Sequence, residues 1–318
     1  MSPQANARIA PMATNVAGPA RLWFSACITC GIAMIEPKEV DVQAYSPSGT
    51  VLRSFTFDGG FGGGAPGIDV TSPDQRHVYV AMAVGDNYVA DIDTQTYGVR
   101  YYKIPVPEIS GQILALLVSP DGTRLYVPTT ASLYVINTVT RTYAGTVAGQ
   151  LAFAALSPNG KTLYGATSAG LTTIDTATLH KHVFAPDPGA QAIAATSTNL
   201  YVGLTNGVKV YDEATLAPVK TISSSLVVRL VADPAIARLY AWIDGPTSQY
   251  AVIMNTTTQS IMKTLPNVFQ GPFLDPVSHL MYTIDIAGNV CSYKPPNYAK
   301  TCSFVVNSAV PFDIAVTH

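Results

Sequence analysis

The chain has 318 residues, 48% of them hydrophobic and only 12% charged, with a formal net charge of −2. That near-neutral balance, without a long basic run, gives no compositional case for binding a nucleic-acid backbone. No apolar run reaches the roughly 18 residues a membrane-spanning helix needs. Seventeen tyrosines and 24 glycines favour strands joined by tight turns over helices.

Residues 1–20 are rich in Pro, Ala and Asn and lack the apolar core of a signal peptide, so they read as a flexible tail. Either the protein is not exported or its signal is not part of this sequence; low Lys and Glu content and the four cysteines favour export. After the tail come short strands. Arg21–Ala26 reads as the first, Glu39–Tyr45 as the next and Val51–Phe57 as a third. Asp58-Gly59-Gly60-Phe61-Gly62-Gly63-Gly64 resembles a phosphate loop only in its glycines. It lacks the lysine and the following helix, so it reads as a loop that exposes Phe61 as a contact residue.

From there the chain repeats. An aromatic recurs at Tyr79, Tyr126, Tyr164, Tyr201, Tyr240 and Tyr282, in steps of 47, 38, 37, 39 and 42 residues. Trp23 is its N-terminal counterpart. Before the aromatic stands a turn such as Ser119-Pro120-Asp121-Gly122 or Ser157-Pro158-Asn159-Gly160. One strand later stands a second turn, such as Asn137-Thr138-Val139-Thr140 or Asp175-Thr176-Ala177-Thr178. Pro presets φ for the first turn, and the Asp or Asn side chain of the second bonds backbone N–H groups downstream. A strand-only repeat near 40 residues is the signature of a propeller blade with four strands. Six blades fall at about 64–110, 111–148, 149–187, 188–227, 228–267 and 268–307. Residues 308–318 supply one innermost strand and 21–57 the other three of a seventh. The expected fold is a single all-β, seven-bladed propeller of four-stranded antiparallel blades, closed by pairing the two chain ends.

The words Ser-Pro-Asp/Asn-Gly-x-x-Leu-Tyr-Val and Asp/Asn-Thr-x-Thr, over roughly 20–318, resemble those of the YVTN family of seven-bladed propellers and its lactonase-like relatives. The resemblance implies export and the binding of a ligand, a surface or another protein; a minority of such relatives hydrolyse lactones. No catalytic residue carries over by motif.

The remaining expectations concern the channel and the cysteines. Loops entering the innermost strands converge on one face of a propeller and are where ligands sit. Here they carry Gln112, Gln150, Gln191, Gln270 and Arg229, with Asp69 and Asp313 as the inner-strand acids. A ring of neutral amides suits hydrogen bonding to a small polar ligand or a protein partner, or else holds channel water. Arg229 either fixes a ligand carboxylate or pairs with Asp69 or another inner-strand acid. Asp233 and Asp275 read as turn formers, and no Ser-His-Asp arrangement is recognisable from spacing. The reading is therefore a non-enzymatic binding protein without cofactor or metal. The alternatives are a hydrolase built on Asp69, Arg229 and Asp313, and a subunit of an assembly. Cys291 and Cys302 flank the turn Pro295–Tyr298 symmetrically, as a hairpin disulfide would, with two buried thiols as the alternative. Cys27 and Cys30 form a C-x-x-C whose options are a local disulfide, free thiols, or a metal or redox role.

Overall fold

The computed structural model describes residues 20–27, 39–58, 69–84, 86–104, 113–186, 189–306 and 311–318. Among these, 28 strands, numbered in chain order, form seven four-stranded sheets arranged as the blades of a ring. One short 3-10 helix, Pro234–Ile236, interrupts them.

Each blade is an antiparallel meander for a local reason. In three blades the Ser of the first turn accepts the backbone N–H five residues on: His77 N to Ser72 Oγ at 2.9 Å, Arg124 N to Ser119 Oγ at 2.9 Å and Thr162 N to Ser157 Oγ at 3.0 Å. The second turn works as its composition suggests. Asp93, Asn137, Asp175 and Asn255 each accept from backbone N–H groups two and three residues downstream. The following threonine ties the two turns together. Thr94, Thr138 and Thr176 donate their hydroxyls to Gln75, Gly122 and Gly160 carbonyls. Turn pairs stacked this way fix strand register without help from the core.

The closing blade is composite. Its order is β28 (Pro311–Thr317), β1 (Arg21–Cys27), β2 (Glu39–Tyr45) and β3 (Val51–Asp58). Trp23 stands opposite Ala315, and Ser25 opposite Asp313. The other six innermost strands are β4 (Asp69–Thr71), β8 (Leu117–Val118), β12 (Ala152–Leu156), β16 (Ala192–Ala195), β20 (Leu226–Asp233) and β24 (Val268–Leu274). Each touches the next, and β28 touches both β24 and β4, so the ring is continuous.

The core lies between blades. The repeat aromatics Trp23, Tyr126, Tyr164, Tyr201 and Tyr240 are at most 2% exposed, which makes them interblade spacers rather than contact residues. Tyr102 of the Tyr101-Tyr102 pair is buried, while Tyr101 lies at the surface. The tail residues 1–19, Phe61 and its glycine loop, Gln112 and Cys30 lie outside the described residues, as does the side chain of Cys27. No helix among the described residues is long and apolar enough to cross a membrane.

Candidate functional site in the central channel

Bulges place the channel's side chains. Register shifts interrupt β12 around Phe153, β20 between Val227 and Arg229, and β24 on both sides of Gln270. A bulge sets two residues against one and re-aims the extra side chain. At Phe153 the backbone adopts φ 48°, a left-handed conformation that is a genuine outlier for a bulky residue. The residue is 37% exposed and lines the channel.

A cavity of about 360 Å³ lies among the inner strands β8, β12, β16 and β20. Its wall is mostly Leu, Ala, Ile and Val, with Phe153 set among them. Three polar side chains join it: Gln150, Gln191 and Arg229. The structure therefore brings two of the entry glutamines and the cation to one space. Gln270 stands in β24, outside that wall, with a buried amide oxygen that has no hydrogen-bond partner.

Arg229 already has protein partners. Its guanidinium pairs with Asp313 at 2.9 Å and lies 4.6 Å above the Phe273 ring, a cation–π contact. Asp313 also accepts the Ile314 N–H at 2.9 Å, and the Asp69 N–H reaches its other oxygen at 3.4 Å. Asp69 lies beside this pair, and neither of its carboxylate oxygens has a partner. Burial, then the Asp313 charge, pushes the Asp69 carboxyl well above the usual carboxylate range. The Ser25 hydroxyl and Arg229 oppose that rise, although Ser25 makes no well-formed hydrogen bond.

Three of the five histidines lie elsewhere and face aspartates. His77 Nδ1 is 2.6 Å from Asp91, which also accepts the Tyr102 hydroxyl at 2.9 Å. His279 Nδ1 is 2.9 Å from Asp233, and His318 Nε2 lies 2.9 and 3.0 Å from the two oxygens of Asp275. Asp233 and Asp275 were expected only to form turns. Asp275 does so, accepting the Val277 N–H, but each also anchors a histidine from a neighbouring strand system. That second role depends on how adjacent blades meet, which the local turn word does not encode.

Comparison with known proteins separates fold from function. No family model and no curated protein sequence matches the chain. Solved structures do. A functionally unknown protein from Desulfotomaculum acetoxidans superposes with a TM-score of 0.65 at 13% identity, covering 87% of this chain and 96% of its own. A chain of the mitotic checkpoint complex gives 0.64 at 15% identity, covering 79% and 82%. A chain of Kuenenia stuttgartiensis hydrazine synthase gives 0.59 at 20% identity, covering 73% and 77%. What they share with this protein is the propeller fold. At these identities the likeness reaches no further.

Two residues, one lining the channel and one buried at the ring's seam, escaped the sequence reading. Phe153 is the one bulky side chain in Leu151-Ala152-Phe153-Ala154-Ala155, and that break in a run of small residues was its signal. Ser25 follows Trp23-Phe24 in a buried strand, where a hydroxyl is out of place.

Proposed function

We propose that this protein is a non-enzymatic binding propeller, exported and akin to the YVTN-type propellers its repeat resembles. Its channel holds a small amphipathic molecule, and its entry-face loops meet that ligand or a protein partner. The observation that carries this reading is the cavity of about 360 Å³ with an apolar wall, Phe153 in a strained conformation, and Gln150, Gln191 and Arg229 as its polar groups. Ligand sites are commonly this size and this mixture, an apolar body with a few polar groups that fix orientation. The Cys291–Cys302 disulfide supports an oxidising compartment.

The test is titration of an environment-sensitive aryl sulfonate dye, followed by displacement with a panel of small carboxylates and amides. Saturable binding that Phe153→Ala weakens by roughly tenfold supports the channel as the site. Binding indifferent to Phe153→Ala sinks it.

A second reading, a hydrolase, is favoured by one observation: a carboxyl biased toward its protonated form, Asp69, lies beside Asp313, whose charge Arg229 compensates. Such a pair has the makings of a general acid and a general base. Lactone turnover that Asp313→Asn abolishes would support it; a full lactone panel without turnover removes it.

A further inference from the structure

Three strands meet where the ring closes, and each contributes one polar side chain to the same buried spot. Ser25 on β1 and Asp313 on β28 are direct register partners. Directly opposed residues of an antiparallel pair project to the same side of the sheet. On β1 that side also carries Trp23, which packs into the core of the blade begun by β4. Asp69 opens β4, and its N–H points at Asp313. Ser25, Asp69 and Asp313 are 0%, 9% and 1% exposed.

Of these three only Asp313 is provided for. One of its oxygens takes Arg229 and the Ile314 N–H. The Ser25 hydroxyl and both oxygens of Asp69 are buried without a hydrogen-bond partner. Native proteins rarely leave such groups unmatched, and an unmatched one signals strain, function or a bound species.

The charge count says what would match them. With both carboxyls ionised, as a bound cation would hold them, Asp69 and Asp313 bring two negative charges against the one positive charge of Arg229. A proton on Asp69 would cancel the excess, yet it offers one donor to a group of three unpartnered oxygens. A cation meets all three together. Among the described residues the available atoms are carboxylate and hydroxyl oxygens, with no imidazole or thiolate beside them. Such a set suits hard cations of the calcium class, bound at roughly 2.3–2.6 Å, over zinc or copper. Arg229 occupies Asp313 Oδ1 and leaves Oδ2 turned toward Asp69.

We propose that Ser25, Asp69 and Asp313 bind a hard, oxygen-seeking cation, calcium by preference, at the seam of the ring. The site does not depend on the ligand reading of the cavity. It joins strands from near both ends of the described chain to the first full blade, so the ion staples the closure itself.

The full-length protein, stripped with chelator and exchanged into metal-free buffer, is titrated with calcium by calorimetry and followed by thermal unfolding. One calcium per chain and a melting temperature that rises with calcium are expected. Asp69→Asn should weaken that uptake by more than about tenfold, the loss that even outer-shell partners command. It should melt close to wild type without calcium, because the amide matches the neutral carboxyl that burial favours there. Ser25→Ala is the second variant and should weaken uptake while leaving the calcium-free melting temperature close to wild type. Absence of stoichiometric uptake by the wild-type protein overturns the proposal. Uptake unchanged in both variants also overturns it, since the ion then sits elsewhere. Preference for zinc over calcium overturns the hard-cation assignment.

Discussion

The Trp23 indole N–H donates to the Thr317 hydroxyl at 2.8 Å, across 294 residues of sequence. Both side chains are fully buried, and the bond lies inside the pairing that shuts the ring. Trp23→Phe keeps most of the packing but leaves the Thr317 hydroxyl without its donor, so about 1–3 kcal/mol should be lost. Trp23→Ala adds a cavity and should lose about 3–5 kcal/mol. Chemical denaturation of both variants, beside a chain ending at residue 310, measures this. The truncated chain should show a broadened or lost cooperative transition, because without β28 the ring has open edges.

Arg229 and Asp313 form a part-buried ion pair, 17% and 1% exposed at the side chain. Arg229→Met strands the Asp313 carboxylate and should lose about 3–5 kcal/mol in calcium-free buffer. Arg229→Met with Asp313→Asn should lose clearly less than the sum of the single changes. A double-mutant cycle by denaturant unfolding reads that coupling.

Phe153 pairs a strained backbone with an exposed ring. Phe153→Gly should stabilise the free protein by about 1 kcal/mol, by relieving the left-handed conformation. The same change should weaken dye binding in the channel. A variant that loses stability as well would show that the ring is packing rather than a contact.

The His77–Asp91 hydrogen bond, outweighing burial, raises the His77 pKa above its ordinary 6.5. The folded protein then holds this proton more tightly than the unfolded chain does. The contribution is complete below the unfolded pKa and is lost as pH rises through the folded one. Denaturant midpoints measured between about pH 5 and 8 should fall with rising pH in the wild type. His77→Gln should flatten that part of the slope.

Cys291 and Cys302 are register partners in the last hairpin and form a disulfide, closing a loop of sequence separation 11. A loop this short corresponds to about 2–3 kcal/mol of unfolded-state restriction. Reductant should lower the melting temperature of the wild type and leave Cys291→Ala/Cys302→Ala unmoved.

Much of this was legible in the chain itself, for a physical reason. The turn words Ser-Pro-Asp-Gly and Asp-Thr-x-Thr bond their own backbones within a few residues, as Asp121, Asn137 and Asp175 do. Local bonding of that kind writes the repeat into the sequence, and the repeat aromatics then count the blades. The composite blade was legible too, because residues 311–317 lacked partners that 21–57 supplied. The channel was legible only in part. Gln150, Gln191 and Arg229 reach one cavity, but nothing in their spacing separates them from Gln270.

The sequence by itself determined six full blades, their strand order and the hairpin that carries Cys291 and Cys302, since each rests on contacts between near neighbours in the chain, and the strands left over near its two ends made up a seventh. Only the tertiary structure decided that Arg229 answers to Asp313 rather than Asp69, that a bulge turns Phe153 into the channel, and that Ser25 meets Asp69 at the seam. Those relationships join residues from different blades. Their geometry depends on ring closure and on single-residue register shifts, and no local spacing in the chain records either.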